Sequence, residues 1–173
     1  MVHNNDIDFH DLQVKILENS DDLTTFNCSD NDAMGLNVFI HSEALQFQRE
    51  KLGVTYLFLY NNQVVGFVTV AMSQIELKLA KTSKLPFRVT IKYYPAMIIG
   101  RLGVDNNYRR RHIGTNLCLW CLYFAKEMSE KVGCRVVVVL TDGDHIEFYK
   151  KCNFDVVTEQ EKKKRVFLYL KIP

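Results

Sequence analysis

Between Pro95 and Leu117 the chain reads PAMIIGRLGVDNNYRRRHIGTNL, an apolar strand that runs through a basic turn into an amphipathic helix. Met97, Ile98 and Ile99 have the character of a sheet interior. Gly103 and Asp105 to Asn107 end that run, and Tyr108 to Gly114 carries three consecutive arginines into a helix start. The first turn of a helix has N–H groups without intrahelical partners and the positive end of the helix dipole. Backbone donors flanked by guanidinium groups make a cradle for a pyrophosphate, so this stretch points to a nucleotide-like cofactor.

The rest of the chain alternates strands and helices, as an α/β fold requires. Leu12 to Leu17 alternates as a first strand, and Asp30 to Leu52 reads as a helix with Ser29 or Asp30 as its cap and Gly35 as a point where it splits. Val54 to Tyr60 and Gln63 to Met72 flank the turn-forming pair Asn61-Asn62 and are expected to form a hairpin. Ser73 to Lys84 fits neither period, and Arg88 to Ile91 reads as a short strand. Then come a strand at Met97 to Val104, a helix from Arg111 to Lys131 and an apolar strand at Arg135 to Leu140. Helix, strand, strand close the chain. In the central helix Ile113, Leu117, Trp120, Phe124 and Met128 recur at steps of three and four, which predicts a core-facing stripe.

With 173 residues, 47% of them hydrophobic and 24% charged, the chain can bury a full core, and one domain over residues 1–173 is expected. It has no internal repeat, low-complexity tract or Pro-rich linker. The start, MVHNNDIDFHDL, lacks the layout of a signal peptide, and no apolar run approaches the ~20 residues of a membrane span, so no membrane association and a cytoplasmic location are expected. The five cysteines are scattered and odd in number, which argues for free thiols. Cys118 and Cys121 have C-x-x-C spacing without a second ligand pair, so the simple reading is core filling and no metal is expected.

On these residues the chain resembles the GCN5-related N-acetyltransferases. Their hallmark is Arg or Gln, two residues, Gly, one residue, Gly or Ala. Arg109 to Gly114, RRRHIG, keeps the arginine and the second glycine and has His112 in place of the first. Asp142 to Phe154, DGDHIEFYKKCNF, resembles the family's second signature, Asn-x-x-Ala-Ile-x-x-Tyr-x-x-x-Gly-Phe. Here Asp142 replaces Asn, His145 replaces Ala, Asn153 replaces Gly, and Tyr149 falls on the family tyrosine. The likeness extends over about residues 54 to 157. It implies a mixed, mostly antiparallel central sheet, flanked by helices and split between the strands Met97 to Val104 and Arg135 to Leu140.

The resemblance also implies acetyl-CoA as co-substrate and transfer of its acetyl group to a primary amine by direct attack on the thioester. Backbone groups of Leu102, Gly103 and Val104 would bind the pantetheine arm. Arg109, Arg110, Arg111, His112, Ile113, Gly114 and Thr115 would hold the pyrophosphate, with Asp142 also against the cofactor. Tyr149 would protonate the departing thiolate. Glu76, Asp142, Asp144 and His145 are all candidates for the base that frees the amine. Phe26 to Cys28, Leu36 to Ile40 and Gly100 to Asp105 further resemble the toxin-type branch, whose members acetylate aminoacyl-tRNA. In that case Arg101, Arg109 to Arg111 and Lys162 to Arg165 would face RNA. Three readings result: an enzyme acting on a small-molecule or protein amine, an aminoacyl-tRNA acetyltransferase, and a non-catalytic coenzyme-A-binding module. The first leads because two ordered motifs and a retained tyrosine favour catalysis, and because the same arginines suffice for a pyrophosphate alone. The exposed edge of such a sheet suggests a homodimer.

Overall fold

The computed structural model describes residues 6–76, 91–157 and 165–173. The ambiguous stretch beyond Glu76, the start of the short strand expected at Arg88, and Lys162 to Lys164 lie outside these residues. The first strand, β1 (Gln13–Ile16), pairs antiparallel with β2 (Val54–Tyr60), placing Gln13 opposite Leu59. β2 returns as β3 (Gln63–Glu76) through Asn61 and Asn62. Both asparagines are left-handed, at φ 48° and 62°, the backbone a two-residue hairpin needs.

The expected helix at Asp30 begins later, at Leu36. Its cap is Asp32, whose carboxylate accepts the N–H of Leu36 at 2.7 Å and of Asn37 at 2.8 Å, in place of Ser29 or Asp30. Gly35, left-handed at φ 69°, marks the entry to the helix and does not split it. From there α1 (Leu36–Val38) passes through a π-helical turn, Phe39–Glu43, into α2 (Ala44–Arg49).

The second half supplies β4 (Tyr93–Val104), α3 (Ile113–Ser129), β5 (Val136–Asp142), α4 (Ile146–Lys151), β6 (Asp155–Val156) and β7 (Arg165–Lys171). Seven strands join in the order β1-β2-β3-β4-β5-β7-β6. β4 and β5 run parallel, whereas β5 with β7 and β6 with β7 are antiparallel. The mixed, mostly antiparallel sheet expected from the sequence is therefore present.

Two compact units form, Met1–Ala71 with Gly100–Cys118 and Met72–Ile99 with Leu119–Pro173. In the first, Leu17, Phe26, Phe39, Leu57 and Phe67 make a buried cluster. In the second, Ile75, Tyr94, Ala96, Val136, Val138 and Tyr169 do so. Along α3 the buried residues are Ile113, Leu117, Cys118, Cys121 and Ala125. The core stripe thus runs mainly in steps of four. Trp120, Phe124 and Met128 are only partly buried, and the rings of Trp120 and Phe124 stack on each other at 4.9 Å. Small Cys and Ala side chains fill the row that the larger residues were expected to fill.

Candidate active site

β4 carries the first part of the site. Its ladder with β5 pairs Ala96 to Ile99 with Val136 to Val139, while β4 itself continues through Leu102, Gly103 and Val104. At Gly103 an added Cβ would lie 2.4 Å from the fully buried ring of Phe67. The space a side chain would need is occupied by the core, so this glycine is required by packing against β3.

After Val104 the chain is pinned by Asp105, an acid only 2% exposed. Its carboxylate accepts the N–H groups of Asn27 at 2.8 Å and Asn107 at 2.9 Å, and its own N–H donates to the Val65 carbonyl at 3.0 Å. The N–H of Asn106 donates to the Asn27 carbonyl, so the segment after β4 is fastened to the loop before α1. Arg109 adds to this fastening, with Nη2 donating to the Asp30 carbonyl at 2.7 Å. Sequence patterning did not reveal these bonds, because Asp105 and Asn27 stand far apart in the chain and neither residue type distinguishes a buried staple from a solvated turn.

Two residues that follow have left-handed backbones, Arg110 at φ 59° and His112 at φ 62°. The family hallmark has glycine at the second of these, and the left-handed φ explains that preference. It also delays α3, which starts at Ile113 and not at Arg111. Left-handed residues set beside right-handed backbone turn consecutive N–H groups toward one side, an arrangement that binds anions. It leads directly into the first turn of α3, at Ile113, Gly114 and Thr115, where helical N–H groups lack intrahelical partners. The first helical bond runs from the Asn116 N–H to the His112 carbonyl. Arg110 and His112 are exposed. The Arg111 guanidinium lies 5.2 Å from the Tyr108 ring and 5.9 Å from the Tyr60 ring.

An unanticipated neighbour is the chain start. The Ile7 N–H donates to the Arg111 carbonyl, its own carbonyl accepts from Asn116 Nδ2 at 2.8 Å, and the Asp6 carboxylate lies 3.6 Å from His112 Nε2. Ile7 is fully buried, an apolar anchor in an otherwise polar leader.

The remaining expected residues lie in the second unit. Asp142 ends β5, and its Oδ1 is 2.7 Å from His145 Nδ1. That hydrogen bond holds the Asp142 carboxyl below its ordinary range. Tyr149 on α4 is buried, with the rings of Phe148 and Phe154 edge-on at 5.0 and 5.5 Å. α4 ends through Asn153, left-handed at φ 66°, the conformation expected of the residue that replaces the family glycine. Of the candidate bases, Glu76 faces Lys92 at 3.9 Å, His145 is held by Asp142, and Asp144 is exposed. Cys28 is buried, and burial pushes its thiol up to about 12, so it is no nucleophile. Cys118 and Cys121 are buried in α3.

The strand end and basic turn have the makings of a nucleotide-cofactor site, and Tyr149 offers a phenolic proton donor. The model of the Acetyltransferase (GNAT) family matches residues 20–154. This chain belongs to the GNAT family. It is an acetyltransferase, and acetyl-CoA is its acetyl donor. Among solved structures, AtaT complexed with acetyl-methionyl-tRNAfMet is 24% identical, with a TM-score of 0.76 over 93% of this chain and 95% of that one. A tyrosine-to-phenylalanine mutant of the AtaT toxin is 25% identical, with a TM-score of 0.75 over 94% and 90%. A mutant of KacT is 17% identical, with a TM-score of 0.77 over 94% and 95%. Comparison with curated protein sequences gives no significant match. No helix among the described residues is long and apolar enough to cross a membrane.

Proposed function

We propose that this GNAT acetyltransferase transfers acetyl from acetyl-CoA to the α-amino group of an aminoacyl-tRNA. The observation that carries the cofactor half is the paired left-handed backbone at Arg110 and His112 running into the start of α3. Backbone N–H groups from His112 to Thr115 take the pyrophosphate, with Arg110 and Arg111 adding charge. Arg109 holds the turn through Asp30. Leu102, Gly103 and Val104 offer strand-edge hydrogen bonds to the pantetheine amides, and a strand N–H there stabilises the oxyanion as it forms.

The amine nitrogen bonds to the thioester carbonyl carbon, the tetrahedral intermediate collapses, and the C–S bond breaks. Tyr149 gives its phenolic proton to the leaving sulfur, and the proton lost by the new amide nitrogen passes to solvent, from which the phenol is recharged. The attacking amine must be neutral. An α-amine has a pKa near 8, so roughly a tenth to a fifth of it is neutral at physiological pH without a dedicated base, against well under 1% for a lysine side chain near 10. The acceptor is supported by AtaT, a toxin solved with acetyl-methionyl-tRNAfMet and matched over nearly the whole chain.

The test is transfer of labelled acetyl from acetyl-CoA to charged tRNA, to peptides and to small amines. Charged tRNA is expected to be the preferred acceptor. Tyr149→Phe should lower kcat by about 10²- to 10⁴-fold with acetyl-CoA affinity unchanged. Preferential acetylation of peptides or polyamines would remove the tRNA assignment, and an active Tyr149→Phe would remove the proton donor.

A further inference from the structure

Arg101 is the one residue of β4 whose charge neither the core nor the cofactor cradle accounts for. It immediately precedes Leu102, and its guanidinium lies over the Phe39 ring at 5.0 Å. Phe39 is buried, packs edge-on to Phe47 at 5.6 Å and stacks on Phe67 at 6.4 Å, so the ring beneath the guanidinium is fixed. Phe39 also opens the π-helical turn Phe39–Glu43, a local irregularity of the kind found often at functional sites. Among the described residues Arg101 makes a single hydrogen bond, from Nη1 to the Gly100 carbonyl at 2.8 Å. It has no carboxylate partner among them, and its Nε is buried with no acceptor.

A guanidinium carries five N–H donors and stays charged at any physiological pH. A guanidinium with no carboxylate among the described residues and a buried Nε–H without an acceptor is a site where an oxyanion would be held. The cofactor pyrophosphate is too far along the strand. Arg101 stands three residues before Val104, about 10 Å back at ~3.3 Å per residue, and the cradle begins beyond that. Along the strand Arg101 shares the side of Gly103, the side that meets Phe67 and carries Phe39. That side bears α1, the π-helical turn and α2, whereas Ile113 and Leu117 of α3 lie against Gly66.

We propose that Arg101, held over the Phe39 ring, clamps an oxyanion of the acceptor. A phosphate is the ligand that follows from the tRNA reading above, on which this inference rests. The terminal phosphodiesters of a charged RNA would reach the guanidinium while the α-amine lies against the thioester. Arg101 is then an acceptor-specificity residue, with no part in holding acetyl-CoA.

The direct test follows the Nε–H resonance of Arg101 in the coenzyme-A-saturated protein, assigned by its loss in Arg101→Lys, while inorganic phosphate and, separately, acetate are titrated in. A saturable shift with phosphate is expected, with acetate weaker. A response to acetate alone would replace the phosphate with a carboxylate acceptor, and no response to either would overturn the clamp. The kinetic arm compares Arg101→Gln and Arg101→Lys with wild type. KM for charged tRNA should rise about 10- to 100-fold in Arg101→Gln, with acetyl-CoA affinity within about twofold. An unchanged KM, or an equal loss of cofactor binding, counts against it. If the wild type acetylates no tRNA while Arg101 Nε still answers phosphate, the tRNA reading has failed and the clamp stands.

Discussion

His112 shows how much one backbone angle decides. A side chain at φ 62° costs about 1–2 kcal/mol relative to a right-handed conformation. Glycine would relieve that strain but adds about 0.5–1 kcal/mol of unfolded-chain entropy. His112→Gly should therefore change stability by no more than about 1 kcal/mol, measured by urea unfolding. Its effect on the cofactor is expected to be of similar size. The substitution removes both the Cβ beside the cradle and the imidazole that faces Asp6, letting a phosphate approach the backbone. Calorimetric titration should show coenzyme A bound more tightly by a few fold, and pantetheine, which lacks the pyrophosphate, bound as before. Equal gains for both ligands would place the effect elsewhere than the phosphate. Asp142 tests a different residue-scale feature. Its carboxyl is held below the ordinary value of 3.8 by His145, so the bond's contribution is complete above that pH and is lost as pH falls through the lowered folded value. Asp142→Asn should cost less than about 1 kcal/mol at neutral pH, because the pair is partly exposed. The difference from wild type should shrink toward zero in acid melts, and a gap that persists at low pH would mean that the aspartate acts through packing.

Among the elements, β4 is where sequence and structure agreed most closely and for partly different reasons. Its apolar run and its glycine were legible, but the packing that requires Gly103, the ring of Phe67 where a Cβ would lie, was not. Gly103→Ala should accordingly destabilise the free protein by about 1–3 kcal/mol through overpacking. Phe67→Leu in the same chain should recover part of the loss, a coupling that a double-mutant cycle measures. Additive losses would show that Phe67 is not what the new methyl meets. The hairpin through Asn61-Asn62 and the helix exit through Asn153 were readable because a left-handed requirement leaves a mark on residue choice. The start of α1 was not readable. Ser29, Asp30 and Asp32 are all competent caps, and only the folded loop decides that Asp32 meets the N–H groups of Leu36 and Asn37. The same limit hid the Asp105 staple and the Arg109 bond to Asp30, since partners 78 and 79 residues apart leave no periodic trace. The α3 stripe was misplaced for a subtler reason. Hydropathy favours Trp120 and Phe124 as core, whereas close packing selected Cys121 and Ala125.

At the scale of the molecule, charge balance limits how an RNA acceptor can be captured. Twenty-two Lys and Arg against 20 Asp and Glu leave a net charge of only +2, so long-range attraction to RNA is weak and affinity must come from a few local contacts. Arg101 is one such position among the described residues. Each neutralised phosphate of a single-stranded end contributes about −0.7 to the slope of log affinity against log salt. With about three contacts the slope is about −2, and binding of charged tRNA should weaken roughly 20-fold between ~50 and ~200 mM salt. That is far shallower than for a protein that envelops its nucleic acid in basic charge. Binding measurements across salt, on coenzyme-A-saturated protein, separate the acceptor from the cofactor contacts. Arg101→Gln should flatten the slope by about 0.7, the signature of one lost phosphate contact. A wild-type affinity that does not respond to salt would mean that the acceptor is held without its phosphates, and an unchanged slope in Arg101→Gln would place those contacts on other residues.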